Sequence, residues 1–378
     1  MGEGKKLFNM SKTKRHILQP LYLLISAFAL ILIIHGCNVQ NEATPDATIP
    51  LNENNNDTKN PEINTRQEVP NLHIDDFAEQ AEPLHIGILQ FAEHSALDAV
   101  HSGMLDALEA AGLKQDLHIN IDYYNSQGNP HRCQATIEQF VEDSVDLIVA
   151  IATPSAQAAV EQKEIPVLFA AVTEPQKAGL IETWEEPNTN ATGVSDLNPI
   201  EALLDMTMEV VPEVENIGVV YNDTEVNSVI QVELSRQIAE DLGVNIVKAS
   251  AENPEEVGTM AEKLVNEVDV IWIPTDNTVL AAFDKLIKIM ERDNIPVVGA
   301  STEFAMQGAM YATGYDYYVI GLQAGDMAVE VISGTDPSVM PVQMSSDIHI
   351  AINMQSAKEI GYRIPFEVLL INDQIYFE

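Results

Sequence analysis

The sequence predicts an α/β fold of two tandem lobes, each built on a parallel sheet covered by helices on both faces. Three observations carry this reading. From Leu84 onward, short apolar runs alternate with amphipathic stretches of helical length, the pattern of strands buried on both sides and separated by helices. Four pairs, Asn129-Pro130, Thr153-Pro154, Asn198-Pro199 and Asn253-Pro254, place a capping side chain ahead of a proline suited to the first helical position. Finally, "DLIVAIATPSAQAAV" (146–160) and "DVIWIPTDNTVLAAF" (269–283) share an acidic start, an apolar strand, a Thr-containing turn and an Ala-rich helix, and each is followed by "IPV".

Composition sets the outer limits. A chain of 378 residues, 46% hydrophobic and 20% charged, has room for two domains and enough apolar surface to bury a core. With 19 basic against 58 acidic residues and a net charge of −39, it lacks the basic footprint that duplex nucleic acid requires.

The elements follow in order. Lys5, Lys6, Lys12, Lys14 and Arg15 precede the apolar run "LYLLISAFALILII" (21–34). That run is short for a spanning helix and fits the core of a signal peptide over residues 1–36. Gly36-Cys37 resembles the lipobox of bacterial lipoproteins, with Ile34 and His35 departing from its usual residues, so Cys37 is the expected lipidation site; an uncleaved N-terminal anchor is the alternative. Both place the remainder outside the cytoplasm and tethered. If Cys37 carries lipid, Cys133 has no partner for a disulfide and reads as a quiet, partly buried thiol. Residues 37–83, with "NENNND" at their centre, bury too little to fold and read as a flexible tether. Strands are then expected at 84–89, 117–123, 147–151, 167–171, 217–221, 244–249, 270–273, 297–300 and 309–312.

Ligands of open α/β sheets sit beyond the carboxyl ends of strands, where helix N-termini offer free N–H groups. Collecting the residues at those ends gives Gln90, Glu93 and His94; Thr153 and Ser155; Thr173; Asn222, Glu225, Asn227 and Ser228; Thr275, Asp276 and Asn277; and Tyr315, Asp316 and Tyr317. Any one of these taken alone is as readily a helix cap. Together they hold several carboxylates and no Lys or Arg. Asp276, Asp316 or Glu93 would welcome an ammonium group, and Thr153, Ser155 and Thr173 would offer donors to a carboxylate. Those are the two ends of a free amino acid. Phe91, Pro154, Ala171 and Tyr317 are candidates for an apolar wall, whereas Trp272, inside its strand, reads as core.

Seven blocks carry a family likeness: "IGILQFAEHSALDAVHSG", "DLIVAIATPSAQAA", "VLFAAVTEP", "TGVSDLNP", "GVVYNDTEVNS", "PTDNTV" and "YDYYVIGLQAG". In this order, from about Leu84 to the C-terminus, the chain resembles the ABC-transporter substrate-binding proteins of the tryptophan/tyrosine type. The resemblance implies a type I periplasmic-binding-protein fold, with two Rossmann-like lobes joined by a three-strand hinge. It divides the chain into 84–195 with 316–344 and 196–315 with 345–378. It also implies an aromatic amino acid held in the cleft, closure about the hinge, delivery to a membrane permease with its ATPase, and a monomer. Asp316 and Tyr317 would serve near the third crossing, with Gly193 and Gly314 nearby as turn residues.

Other ligands of this fold, such as a purine, a sugar or another amino acid, stay open, as does a sensor that signals through a receptor. Catalysis has little to recommend it. Glu93-His94 as acid and base, or His94 and His101 as metal ligands, lack the spacing of familiar pairs, and no nucleotide-binding, metalloprotease or nucleophile-elbow motif occurs. No cofactor is expected.

Overall fold

The computed structural model describes residues 82–345, 348–370 and 374–376, which fall within one compact unit, Arg66–Glu378. The expected leader, Cys37 and the tether up to residue 81 lie outside the described residues. In chain order the elements are β1 (Leu84–Gln90), α1 (Ser95–Ala110), β2 (Ile119–Asn125), α2 (Pro130–Glu142), β3 (Leu147–Ile151), α3 (Thr153–Glu161), β4 (Val167–Ala170) and β5 (Ala191–Ser195). Next come α4 (Ile200–Val210), β6 (Asn216–Tyr221), α5 (Val226–Leu242), β7 (Asn245–Ser250), α6 (Val257–Leu264), β8 (Val270–Ile273), α7 (Asn277–Leu280), α8 (Phe283–Arg292), β9 (Val297–Gly299), α9 (Thr302–Met306) and β10 (Tyr311–Tyr315). The last are α10 (Tyr317–Ile332), β11 (Gln343–Met344), β12 (Ile348–Asn353), α11 (Met354–Glu359), α12 (Phe366–Leu369) and β13 (Gln374–Tyr376).

These strands form two sheets, as the sequence predicts. The first has the order β11-β5-β4-β3-β1-β2 and is parallel throughout; the second has the order β13-β12-β10-β9-β8-β6-β7, with β12 antiparallel to β10. The chain passes from the first sheet to the second after Ser195, returns after Tyr315, and passes again between Met344 and Ile348. The central apolar runs became strands covered on both faces: every residue of β3 "LIVAI" and of β8 "VIWI" is buried, whereas the edge strands β2 and β7 are partly exposed. Trp272 is core, and Cys133 is fully buried, with burial pushing its thiol pKa up, away from the reactive thiolate.

Several local expectations need correction. The strand expected at 309–312 begins at Tyr311 and runs to Tyr315. β5, β11, β12 and β13 are additional. β5 is "ATGVS", too polar to register as a buried run, yet its polar atoms are satisfied internally. Thr192 Oγ1 donates to the Met340 carbonyl at 2.7 Å, and Ser195 Oγ to the Thr173 carbonyl at 3.0 Å. Gly193 and Gly314 lie within strands and are not turn residues. A Cβ on Gly193 would stand 1.9 Å from the Phe169 carbonyl oxygen, and one on Gly314 3.0 Å from Ser301 Cα.

Of the four proline-marked helix starts, Asn129 caps as expected, its side chain accepting from the N–H groups of His131 and Arg132. Thr153 does not cap: it is already helical, and the capping position is Ala152. Asn198 instead donates its amide to the Ala300 carbonyl at 2.6 Å, and α4 starts two residues later. Asn253 closes a turn by accepting from Glu256 N–H, with α6 beginning at Val257.

The outer face of the first sheet is closed by α1 against α10, which meet through small residues. A Cβ on Gly103 would stand 2.2 Å from the Tyr318 carbonyl oxygen, and one on Gly321 2.2 Å from that of Val100. Backbones can approach this closely only where the side chain is a hydrogen atom. The contact sets where the N-terminus of each helix points, and both N-termini lie beside the cleft.

Candidate functional site

A cavity lies between the carboxyl ends of the two sheets. The first sheet and its connections contribute His94, Ala96, Leu97, Ala152, Thr153, Ala171 and Thr173. The second contributes Asn227, Thr275, Asp276, Asn277, Leu280, Ser301 and Phe304, and the two hinge crossings contribute Asp196 and Tyr317. The lobes touch around it. His94 Nε2 lies 3.1 Å from Asn277 Oδ1, Thr173 Oγ1 lies 3.2 Å from Thr275 Oγ1, and Leu280 packs against the core of the first sheet. The crossings are tied as well: Tyr317 OH donates to Asp196 Oδ2 at 3.0 Å, and Tyr315 OH to the Leu197 carbonyl at 2.9 Å.

Nine of the nineteen residues expected at strand ends or in the apolar wall line this cavity: His94, Thr153, Ala171, Thr173, Asn227, Thr275, Asp276, Asn277 and Tyr317. The other ten do not, for identifiable reasons. Gln90 is buried beneath the site, its amide donating to the Ala92 carbonyl and Asp98. Glu93 faces solvent. Pro154 and Ser155 belong to the first turn of α3 but not to the lining, and Ser155 is fully buried. Asp316 is exposed and spends its carboxylate capping α10, accepting from Tyr318 and Val319 N–H. Of the other candidates, Tyr315 is buried with its hydroxyl on Leu197, and Phe91 belongs to the core of the first lobe.

Asn222, Glu225 and Ser228 form a layer behind the second lobe's wall. Glu225 accepts from Asn277 N, Asn277 Nδ2, Thr278 N and Thr278 Oγ1 at 2.6 to 3.2 Å, closing the N-terminus of α7. Asp276 is the cap of that helix. Its Oδ1 accepts from Val279 N at 2.8 Å and its Oδ2 from Asn222 N at 2.6 Å. Burial raises the Asp276 pKa well above the carboxylate range, and the charge of Glu225 adds to the effect, against bonds from Ser228 and the two amides. This carboxylate is committed to the protein's own donors. Asp276→Ala therefore removes a cap and strands the Asn222 N–H. It is expected to cost roughly 1–3 kcal/mol, read as a lower melting temperature, with Asp276→Asn milder because it keeps one acceptor.

Asp196, absent from the strand-end list, is the carboxylate left free for a ligand. It is 3% exposed and lines the cavity, and no cation pairs with it among the described residues. Burial raises its pKa, opposed in part by the Tyr317 and Thr173 hydroxyls. A buried carboxylate without a cation is costly, and a bound ammonium group relieves that cost. Ser301 and Phe304 were also missed. They follow β9, whose carboxyl end the strand-end rule applies to but which was passed over.

The same lining holds donors from the first lobe. Thr153 Oγ1 is buried without a partner among the described residues, and the first N–H groups of α3 have no intrahelical acceptor. Two alanines in the wall hold backbone conformations that favour glycine: Ala171 at φ 55° and Ala152 at φ 78°, ψ 156°. The Ala152 conformation is essentially restricted to glycine, and strain of this kind collects where a ligand is gripped. The wall's apolar part is made by Ala96, Leu97, Leu280, Phe304 and the ring of Tyr317. His101, considered above with His94 as a metal pair, stacks instead on Tyr123 with centroids 4.4 Å apart.

A sequence model of the family described as "ABC transporter substrate binding protein" matches residues 85–375. The chain is 36% identical over 277 residues, 73% of its length and 80% of the relative's, to a tyrosine-binding protein of Clostridioides difficile. Among solved structures it is similar to an ABC domain from Streptococcus pneumonia in complex with L-Trp, at 32% identity and TM-score 0.75 over 78% of this chain and all of that one. It is also similar to the ligand-free, open structure of a substrate-binding protein with adhesive properties from Clostridium difficile. That match has 37% identity and TM-score 0.60 over 78% of this chain and 99% of that one. The tryptophan complex thus overlays better than the open form despite its lower identity, in keeping with lobes that touch.

Proposed function

Because the chain belongs to the ABC transporter substrate-binding protein family, we propose that it captures a free aromatic L-amino acid in the cleft between its lobes and delivers it to a membrane permease. The observation that carries the ligand class is Asp196, a buried carboxylate without a cation among the described residues, which lines one cavity with Thr153 at the N-terminus of α3. Asp196 takes the ligand's ammonium group, Tyr317 OH orients that carboxylate, and Thr153 with the α3 N–H groups takes the ligand's carboxylate. Ala171, Thr173, Thr275 and Asn227 shape the walls. The apolar surface of Leu97, Leu280 and Phe304 receives the ring. Family membership places the domain outside the cytoplasm; a lipid on Cys37 holding a monomer at the membrane surface completes the proposal.

Closure supplies the mechanism. Thr153 with α3 belongs to the first lobe and Asp196 to a hinge crossing, whereas Asn227, Thr275, Asn277 and Leu280 come from the second lobe, so a ligand held by the first set that also meets the second favours the closed state by the difference between its contacts there and in the open state. The Tyr317–Asp196 bond joins two hinge crossings, so the group that binds the ammonium is also fixed to the pivot. The permease then recognises the closed pair.

Titration calorimetry of the full chain in detergent, freed of co-purified ligand by unfolding and refolding, tests this against tyrosine, tryptophan, phenylalanine, leucine and adenosine. Micromolar or tighter binding confined to aromatic amino acids is expected; silence towards every amino acid would refute the ligand class. Proton linkage provides a second check. Burial raises the Asp196 pKa in the ligand-free protein, and an ammonium partner lowers it, so binding releases protons near that pKa. Affinity should therefore fall as pH is lowered through it, by up to about tenfold per pH unit. Calorimetry in two buffers of different ionisation enthalpy reads the released proton.

Without ligand the sign for stability is the opposite of the usual carboxylate case. Asp196 and Asp276 both have folded pKa values above the unfolded value. Their contribution is greatest at acid pH and is lost as pH rises through the folded values. The ligand-free protein is expected to melt at higher temperature near pH ~5 than near pH ~8, and saturating ligand should shrink that difference.

A further inference from the structure

We propose that His94 reads a hydrogen-bond donor carried on the ligand's ring, accepting it at Nδ1, with its tautomer fixed by Asn277 and Glu225. The inference rests on the aromatic amino-acid reading above and assigns a residue that selects within that class.

The chain of constraint starts in the second lobe. Glu225 accepts five hydrogen bonds, one of them from the Asn277 side-chain amide at 2.6 Å. A carboxylate in that position only accepts, so the NH₂ of Asn277 faces Glu225 and Oδ1 faces the first lobe. Oδ1 is itself only an acceptor and lies 3.1 Å from His94 Nε2, so Nε2 carries the proton. Burial holds the His94 pKa below its usual value, and in the neutral ring one proton is all there is. Nδ1 is therefore an unprotonated acceptor. It is buried and has no partner among the described residues.

The surroundings say what kind of donor it meets. His94 immediately precedes α1 and Asn277 opens α7; one turn further along each helix stand Leu97 and Leu280, and all four line the cavity. Residues three apart share a helix face, so this bare acceptor has Leu97 and Leu280 for neighbours on its two helices. The charged end of the ligand belongs with Asp196 and Thr153, on other elements. A ring whose edge bears an O–H or N–H, a phenol or an indole, suits this corner; a plain phenyl leaves Nδ1 unpaired. Buried polar groups left unpaired discriminate more sharply than missing apolar contacts do.

The test uses ligand pairs that differ only in the donor, with the refolded full chain: tyrosine against phenylalanine, and tryptophan against its benzothienyl analogue, in which sulfur replaces the indole N–H. At least one pair is expected to differ by about tenfold or more in Kd, and the pair that does so identifies phenol or indole. In His94→Phe the preference should collapse to about twofold or less while the donor-free analogue still binds. Imidazole ¹⁵N NMR of the ligand-free wild type, which depends on no variant, should find the proton on Nε2. Three results would each overturn the inference while leaving the amino-acid reading intact: no discrimination in either pair, discrimination that survives His94→Phe, or a proton on Nδ1. Failure of every aromatic amino acid to bind overturns both together.

Discussion

Asp196→Asn is expected to weaken binding of the cognate amino acid by about 10- to 100-fold, the loss of one charge-assisted hydrogen bond of roughly 1.5–3 kcal/mol, without lowering the melting temperature of the ligand-free protein at neutral pH. The two halves of this result belong together. A side chain that only supports the hinge would lose stability when altered. Asp196 has no cation among the described residues, and burial works against its charge, so replacing it with a neutral isostere removes a cost from the empty protein and a partner from the ligand. Asparagine also turns an NH₂ donor towards a group that itself only donates. Calorimetry and thermal melts of the same preparation separate the terms. Unchanged affinity would move the ammonium site elsewhere and leave Asp196 a hinge residue held by Tyr317.

The largest effect on stability is expected at the crossing of α1 and α10. Gly321→Val should destabilise by about 3 kcal/mol or more, the range of overpacking where nothing can give way, and lower the melting temperature by roughly 6–12 °C. The obstacle is backbone: the first added carbon would stand 2.2 Å from the Val100 carbonyl oxygen and 3.0 Å from Met104 N. Gly258→Ala is the matched control. It lies in α6, where an added Cβ meets side-chain carbons no closer than 3.6 Å, so it should be neutral or stabilising by up to about 1 kcal/mol through helix propensity. Equal melting temperatures for Gly321→Val and wild type would mean that the two helices separate freely.

Much of this architecture can be read from residue order because a parallel sheet covered on both faces demands continuous apolar runs, as in "LIVAI" and "VIWI". One of the strands that failed to declare themselves, β5, leads directly into Asp196. Its Thr192, Gly193 and Ser195 serve close packing and internal hydrogen bonds, which leave no period in the sequence. The carboxylates show the same limit. Asp276, Asp316 and Glu225 all follow strands and all turned out to be engaged at helix N-termini. What distinguishes Asp196 is that no helix starts after it until Ile200, so it has no N–H groups to cap. That signal was present in "SDLNP". His94 and Asn277 were legible as strand-end residues, but their bond to one another joins positions 183 apart and exists only once the lobes meet.

The α1–α10 crossing also sets an order of events in biogenesis. The helix that covers the outer face of the first sheet is made of residues 317–332, whereas strands β1 to β5 of that sheet are complete by Ser195. As the chain is synthesised and exported, the first sheet waits with one face covered by α1 but not yet by α10 while some 120 further residues emerge. Five strands of the second sheet, β6 to β10, lie in one continuous stretch, 216–315, and can pair in that interval. The lobe encoded first is therefore completed only after most strands of the second sheet have been made, and its unfinished face is what a chaperone would meet.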